Sequence, residues 1–434
     1  VSLVDTDCDD GKADVNPGAK EKPFNGIDDD CAIGKGEISL ADHDEKYPGS
    51  DSGDETGAAL SYVGDMNGDT FPEWAIASPG KSSGDGSVSI YSDLTASVSL
   101  SGVDAEGFGA WVTGAGDLNG DGYDDVLVGA PSNTAGGAYI LYGPQTASSF
   151  TDDISLLGTP GAFSAAGGFY FDTDTKTDFA VGSEGVVTLF DGDSLEASFD
   201  EITVSSAGND FGETVSNVGD INGDGFEDLA VGAPESGSGS VFLYTDAAAL
   251  SYDAELKGSA TNDDAGYAVS GADIDGDGYS DVIVGAPKND SNGVQSGAVY
   301  LNLGPISADQ KLSNSNTIYL GESAGCLAGT SVSSGDPDGN GSLGVVIGEP
   351  GCNDGAYTET GKVFVDFGPV SFGTITSGSL YATIIGQTSG DNAGTAVDAR
   401  YNADQDSDGY DDILIGAPEE DGAGAAYLLL GDNE

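Results

Sequence analysis

The chain has 434 residues, 38% of them hydrophobic, with 70 glycines and a formal net charge of −63. That charge repels phosphate backbones and anionic lipid, so it argues against nucleic-acid binding and favours cations, a salty medium, or both. No apolar run approaches the roughly 18 residues of a membrane span, and short Val/Ile/Tyr/Phe runs between Gly and Asp clusters predict an all-β fold rather than a disordered polyanion.

The chain opens on Val1 rather than Met, without a secretion signal, and reads as a processed product. Residues 1–36 are acidic and carry Cys8 and Cys31; Cys326 and Cys352 form a second near pair. Neither pair has CxxC spacing, which disfavours zinc or thioredoxin chemistry. Two local disulfides in an oxidising compartment are the simpler reading. A short strand, EISLAD, is expected from Glu37 to Asp42.

A repeat follows. Gly-Ala-Pro or its variants begin at Ala77, Gly129, Gly182, Gly232, Gly285, Gly348 and Gly416, roughly 50 residues apart at first and farther apart in the last two. Each unit carries four strand-like pieces. In the second unit these are residues 108–116, 125–131, 137–143 and 153–158. Four short antiparallel strands, seven times, predict a seven-bladed β-propeller over residues 37–434, with residues 1–36 as a separate small segment. The last unit ends after its third strand, so the strand from Glu37 to Asp42 is expected to complete it and close the ring.

Before each apolar strand stands a carboxylate loop. In DLNGDGYDD, Asp117, Asn119, Asp121 and Asp125 occupy positions 1, 3, 5 and 9, Tyr123 offers a backbone carbonyl at position 7, and Gly120 and Gly122 permit the turn. Oxygen donors at alternate positions suit Ca²⁺. Magnesium prefers strict octahedral geometry, and transition metals favour His or Cys. The pattern recurs as Asp65, Asn67, Asp69, Phe71, Glu73, and as Asp220, Asn222, Asp224, Phe226, Asp228. It recurs again as Asp273, Asp275, Asp277, Tyr279, Asp281, and as Asp404, Asp406, Asp408, Tyr410, Asp412. A single loop of this kind is as readily a plain Asp-Gly turn. Five in register point to structural calcium that neutralises the carboxylates and pins the turn. The third loop has Tyr170 at position 1 and Lys176 at position 7, and the sixth has Gly344 at position 9. Both are expected to be empty or weak.

No catalytic constellation emerges. His43 lies between two aspartates without a nucleophile motif and reads as a solvated surface residue. Trp74 and Trp111 read as blade packing. No GxSxG, HExxH or P-loop is present. Acidic pairs are too abundant to single out a glycosidase dyad.

The FG…GD-x-[DN]-x-D-G-x-x-D…GAP pattern, clearest in FGAWVTGAGDLNGDGYDDVLVGAP and FGETVSNVGDINGDGFEDLAVGAP, resembles the FG-GAP repeats of the integrin α-subunit propeller and its bacterial relatives. The resemblance implies a seven-bladed propeller with calcium loops between first and second strands on the lower face. It implies partner contacts mainly on the upper face, where loops join strands two and three and link one blade to the next. The segment DTDCDDGKADVNPGAKEKPFNGIDDDC resembles the short metal-binding repeats of bacterial surface and secreted proteins. On that resemblance Asp5, Asp7, Asp9, Asp28 and Asp30 are candidate ligands of a further Ca²⁺. The family often has another Cys before the Asp-Gly; here residues 21–26 have none, which leaves Cys8 to pair with Cys31. A disulfide-closed acidic turn without metal is the alternative. Aligned on the repeats, Cys326 falls at a first-strand position and Cys352 just after Gly348-Glu349-Pro350, so a bridge there would staple blade six.

The leading functional expectation is a non-enzymatic, calcium-binding extracellular propeller at a bacterial surface or in a secreted matrix. It would mediate adhesion or self-assembly with a protein partner or copies of itself. The polar loops at residues 288–296 and 351–360 are the candidate contacts. A calcium-stabilised lectin binding glycans is the alternative, and a polysaccharide-degrading enzyme a third.

Overall fold

The computed structural model describes residues 37–431 except 43, 93–94, 103–105, 133–136, 145–160, 171–175, 193–197, 203–209, 246–250, 356, 381, 401–402 and 407. Each apolar run that follows a carboxylate loop becomes a strand covered on both faces. Glu73–Ser78, Asp125–Gly129, Leu229–Ala233, Asp281–Ala286, Gly344–Glu349 and Ile413–Ala417 are buried at every position. Burial on both faces explains why these runs are continuously apolar rather than alternating.

The strands form seven sheets, one per repeat, each an antiparallel meander about a common axis. Blade one comprises Leu60–Gly64, Glu73–Ser78, Ser87–Ser92 and Thr95–Ser101 in spatial order. Blade two has Val112–Gly116, Asp125–Gly129 and Ala138–Leu141; the fourth strand expected at residues 153–158 lies outside the described residues. Neighbouring blades share apolar clusters. Val88, Ile90 and Leu100 of blade one, for example, pack with Phe108, Val126 and Val128 of blade two. Each such side chain contributes about 1.5–3 kcal/mol on burial. Trp74 is fully buried and stacks on Tyr91 at 5.9 Å, and Trp111 donates Nε1–H to Ala162 O at 2.9 Å, so both serve blade packing.

The ring closes one element later than the sequence suggests. Glu37–Ser39 does not join blade seven; it runs parallel to Ala382–Ile385 on the rim of blade six, with Glu37 opposite Thr383. The strand that completes blade seven is Glu45–Pro48, antiparallel to Ala425–Leu429, with Tyr47 opposite Ala426. Two other blades explain this. Gln310–Lys311, in blade five's connection between third and fourth strands, crosses to pair in parallel with Ala254–Lys257 of blade four. Gly373–Thr376 of blade six does the same against Thr317–Leu320 of blade five. A 3₁₀ turn follows each, at Leu312–Asn314 and Ser377–Ser379, before the chain returns to its own blade. Glu37–Ser39, the turn Leu40–Asp42 and Glu45–Pro48 repeat that path as the missing part of blade seven. Leu40, like Leu312, is fully buried.

Cys326 and Cys352 form a disulfide across 26 residues of chain. Cys326 precedes the first strand of blade six, Ser331–Gly335, rather than lying in it, so the bridge ties the connection from blade five to the start of the loop after strand two. The loop-entropy relation gives such a bridge about 3.5 kcal/mol. A Cys326→Ser/Cys352→Ser variant is therefore expected to unfold at distinctly lower denaturant; an unchanged midpoint would show that blade six needs no staple.

First strands from all seven blades line the axis around a cavity of about 1330 Å³. Leu60, Val112, Val215, Val269, Val332 and Val397 form an apolar collar where these strands begin. The carboxylate loops lie beyond their other ends.

Candidate metal centres

The five full carboxylate loops share one turn. In blade two, Asp117 accepts from the N–H groups of Gly120, Asp121 and Gly122 at 2.7, 3.0 and 2.8 Å. Asn119 Oδ1 accepts from Asp121 N–H at 2.8 Å, and Asp121 Oδ1 from Tyr123 N–H at 3.1 Å. Asp125 closes the loop by accepting from Leu118 N–H and Gly143 N–H, both at 2.9 Å. Gly120 and Gly122 have φ of +76° and +91°, which side-chain-bearing residues rarely adopt. Each carboxylate spends part of its acceptor capacity on the turn and keeps the rest for a cation.

The other four loops repeat this. Asp65, Asp220, Asp273 and Asp404 each accept from the N–H of the residue five later, at 2.8, 2.8, 3.0 and 2.9 Å. Asp69, Asp224, Asp277 and Asp408 accept from Phe71, Phe226, Tyr279 and Tyr410 N–H at 2.9–3.0 Å. Glu73, Asp228, Asp281 and Asp412 accept from the N–H of the second loop residue at 2.7–2.8 Å. Carboxylate oxygens of Asp273, Asp275 and Asp281 lie within 4.8 Å of one another, as do those of Asp404, Asp406 and Asp408. In the three loops with Asn at position 3, Nδ2 of Asn67, Asn119 and Asn222 donates to the position-5 carboxylate at 2.9, 3.1 and 2.9 Å. A cation there would require the amide oxygen to face it instead.

The sixth loop folds similarly without its ninth carboxylate: Asp336 accepts from Gly341 N–H at 2.8 Å, and Asn340 Oδ1 from Ser342 N–H at 2.9 Å. The third loop is described only at its ends, where Asp178 accepts from Gly192 N–H at 3.1 Å. Residues 1–36, with Asp5, Asp7, Asp9, Asp28, Asp30, Cys8 and Cys31, lie outside the described residues, as does His43.

The sequence reading missed that the loops are laced to one another. The position-8 residue of one loop bonds the position-1 backbone of the loop before it. Asp124 accepts from Asp65 N–H at 2.8 Å and donates its own N–H to Asp65 O at 3.0 Å. Asp411 treats Asp336 the same way, at 2.7 and 3.2 Å, and Ser280 N–H donates to Asp220 O at 2.8 Å. A polar residue at position 8 in these repeats was the available signal. Position-7 rings lace them too. Tyr123, Tyr279 and Tyr410 lie against Gly68, Gly223 and Gly339 of the preceding loop, where a Cβ would collide.

Burial raises the ninth carboxylates far above their ordinary range, and neighbouring aspartates add to the rise against the opposing backbone N–H bonds. Glu73, Asp125 and Asp228 are pushed up to about 7, Asp281 to about 6 and Asp412 to about 8. Asp228 Oδ1 is buried with no hydrogen-bond partner among the described residues. All-oxygen donors, carboxylates costly to ionise alone and an orphaned buried oxygen fit a hard divalent cation. In chelator the folded state holds more protons than the unfolded one between about pH 4 and these raised values. The metal-free protein should therefore be most stable at low pH and lose stability as pH rises through about 6–8. With metal the slope should reverse, because binding releases those protons. Melting curves across pH with and without chelator check this; parallel profiles would count against it.

The FG-GAP repeat family matches residues 108–141, 211–244, 265–301 and 402–429. Blades two, four, five and seven carry FG-GAP repeats. The N-terminal segment matches a family described as "Putative metal-binding motif" over residues 7–32. Integrin alpha-PS5 of Drosophila melanogaster is 34% identical over 181 residues, 39% of this chain and 14% of that protein. Phosphatidylinositol-glycan-specific phospholipase D of Rattus norvegicus is 31% identical over 205 residues, 44% of this chain and 20% of that protein. The chain thus matches at most a fifth of these relatives' length. Among solved structures, a crystal structure of BBS1N in complex with ARL6DN, soaked with lead, aligns over 89% of this chain and 97% of that one, with a TM-score of 0.50 and 11% identity, which supports the fold alone.

The geometry explains the glycines of the FG-GAP repeat. Within a blade, the glycine opening the first strand donates N–H to the GAP glycine carbonyl: Gly109 to Gly129 at 2.8 Å and Gly266 to Gly285 at 2.9 Å. Between blades, a Cβ on Gly232 or Gly285 would strike the carbonyl of Gly266 or Gly329 in the next blade. The FG and GAP glycines therefore lock each repeat to its neighbour, and the carboxylate loops lock the opposite end.

Proposed function

We propose that this chain is a calcium-stabilised, non-enzymatic adhesion propeller that works outside the cell, at a bacterial surface or in a secreted matrix. Calcium would be held by the position 1, 3, 5 and 9 side chains and the position-7 carbonyls of loops one, two, four, five and seven. Its role there is charge neutralisation and turn fixing. Residues 1–36 would form a separate metal-binding segment on Asp5, Asp7, Asp9, Asp28 and Asp30, closed by Cys8–Cys31, ahead of a propeller at residues 37–434.

One observation carries the adhesive reading. The face opposite the carboxylate loops exposes Phe163, Tyr267, Tyr357 and Val294 on its loops, at 45, 48, 52 and 71%, while the carboxylate loops also expose Phe71 and Phe226, at 39 and 53%. Exposed apolar groups on loops of a rigid scaffold mark partner contact. The integrin relative supports the same reading, and the phospholipase relative shows that similarity to these repeats also occurs in a protein named as an enzyme.

The test is attachment of protein-coated beads to a bacterial surface in millimolar calcium, together with sedimentation of the free protein. A Tyr267→Ser/Val294→Ser/Tyr357→Ser variant is expected to keep its melting temperature and lose attachment or self-association. Retention of both in the variant would refute the adhesive role of this face.

A further inference from the structure

The carboxylate-loop face is not one continuous ring. A loop is tied to the loop before it in two ways: its position-8 residue bonds the position-1 backbone, and its position-7 side chain lies on the position-4 glycine. Both ties occur at the same junctions. Loop two is tied to loop one by Asp124, which exchanges two hydrogen bonds with the Asp65 backbone at 2.8 and 3.0 Å, and by Tyr123 against Gly68. Loop three is tied to loop two by Thr177 N–H, 3.2 Å from Asp117 O, and by Lys176 against Gly120. Loop five is tied to loop four by Ser280 N–H, 2.8 Å from Asp220 O, and by Tyr279 against Gly223. Asp411 and Tyr410 tie loop seven to Asp336 and Gly339 of loop six.

The other three junctions carry neither tie among the described residues. Between loops seven and one, position 8 is Pro72, which has no N–H, and the position-7 ring of Phe71 stands 39% exposed. Gln405 Nε2 donates to Pro72 O across this junction at 2.5 Å but engages no position-1 backbone. Between loops three and four, Glu227 makes no such bond and Phe226 is 53% exposed. Between loops five and six, Leu343 makes no such bond, position 7 is the short Ser342, and a Cβ on Gly276 would meet nothing. The residue before position 1 follows the same division. It is glycine, at 64, 116, 219 and 335, wherever the next loop is tied, and Phe169, Ala272 or Ala403 wherever it is not. A Cβ on Gly64, Gly116 or Gly219 would strike Asp124, Thr177 or Ser280, so the glycine admits the tie.

The loops therefore fall into three groups: one with two and three, four with five, and six with seven. Loop three has Tyr170 at position 1 and loop six has Gly344 at position 9, so each lacks a carboxylate of the full set. From this division we infer that divalent cations load the face as two coupled pairs, loops one with two and loops four with five, and one lone site, loop seven. Asp124 is a positioning residue of the first pair. The inference rests on the calcium reading of these loops. Without metal, like charges oppose each turn: Asp65, Asp69 and Glu73 in loop one, and Asp117, Asp121 and Asp125 in loop two. Filling one loop removes that opposition there, and the tie orders the neighbouring backbone with it. The second loop then has less ordering left to do, which is positive coupling without a change of shape. Repulsion between the ions works the other way, but on an exposed face salt screens it over about 8 Å, whereas the ties are direct bonds.

The test is ion counting by native mass spectrometry of the full chain across buffered calcium concentrations; any ion held by residues 1–36 is common to all variants. Asp125→Asn is expected to lose the loop-two ion and to raise the calcium midpoint of one other ion at least about fivefold, the lower end of common coupling factors. Glu73→Gln should do the reverse by the same factor, because coupling is reciprocal. Asp412→Asn should lose one ion and shift none. Asp124→Ala should keep the ion count but abolish the coupling, whereas a general loss of stability would shift every ion. Asp124→Asn keeps an oxygen that can accept Asp65 N–H and should restore the coupling. If Asp124→Ala does not fold, the reciprocal pair of ligand variants decides. Ions that fill independently, or an Asp412→Asn protein that shifts others as Asp125→Asn does, would overturn the inference and leave the metal reading standing. Binding of no ions would remove both.

Discussion

Removing divalent metal is expected to lower the thermal midpoint of this propeller by roughly 20 °C or more, at about 2–4 °C per kcal/mol for a chain of this scale. A site filled at a hundred times its Kd contributes about 2.7 kcal/mol, so five sites exceed about 10 kcal/mol, comparable to the whole net stability of a typical domain. The structural reason lies in the clustered charge. Asp65, Asp69 and Glu73 are bound into one tight turn and Asp404, Asp406, Asp408 and Asp412 into another, and no lysine or arginine is paired to Asp65, Asp69, Glu73, Asp406, Asp408 or Asp412 among the described residues. Position-8 bonds link these turns from blade to blade, so releasing one loosens the next. Calorimetry in calcium and in EGTA, with ion counting by native mass spectrometry, checks the expectation. Asp228→Ala in calcium should remove one ion and about 2–3 kcal/mol. A midpoint indifferent to EGTA, with no ions retained, would mean that the loops are acidic turns and nothing more.

The second large effect concerns ring closure. A chain beginning at Glu37 is expected to melt like the full chain, whereas one beginning at Gly49 should fail to give a cooperative monomer. The longer deletion removes Glu45–Pro48 and exposes the backbone edge of Ala425–Leu429. It also removes Tyr47, which packs on Trp74 and Tyr91 across the seam between blades seven and one, and buried Leu40 in the tie to blade six. Tyr47→Ala alone should cost about 3–5 kcal/mol, the scale of an emptied aromatic site. Size-exclusion profiles and melting curves of both truncations decide this. A stable monomer from the shorter chain would show that the blades close without a shared strand.

The amino-acid order determined the repeat count, the strand pattern and the loop chemistry, because each is local. An apolar run buried on both faces must be continuously apolar, and a turn held by Asp117, Asn119 and Asp121 must have them at alternate positions with glycines between. The Cys326–Cys352 bridge was legible from repeat alignment, since both cysteines interrupt a pattern set by other blades. Tertiary structure alone decided what depends on neighbours. EISLAD and EKYP are both short, mixed stretches, and nothing within either says which completes blade seven. That was settled by the crossing already built into blades five and six, which sends the first segment to the adjacent rim and brings the second home. The contacts across the closing seam were equally invisible. Asp398 meets Ser61 and Tyr62, and Gln405 meets Pro72, only when the ring is closed, because hydrogen bonding across that seam joins residues more than 300 positions apart.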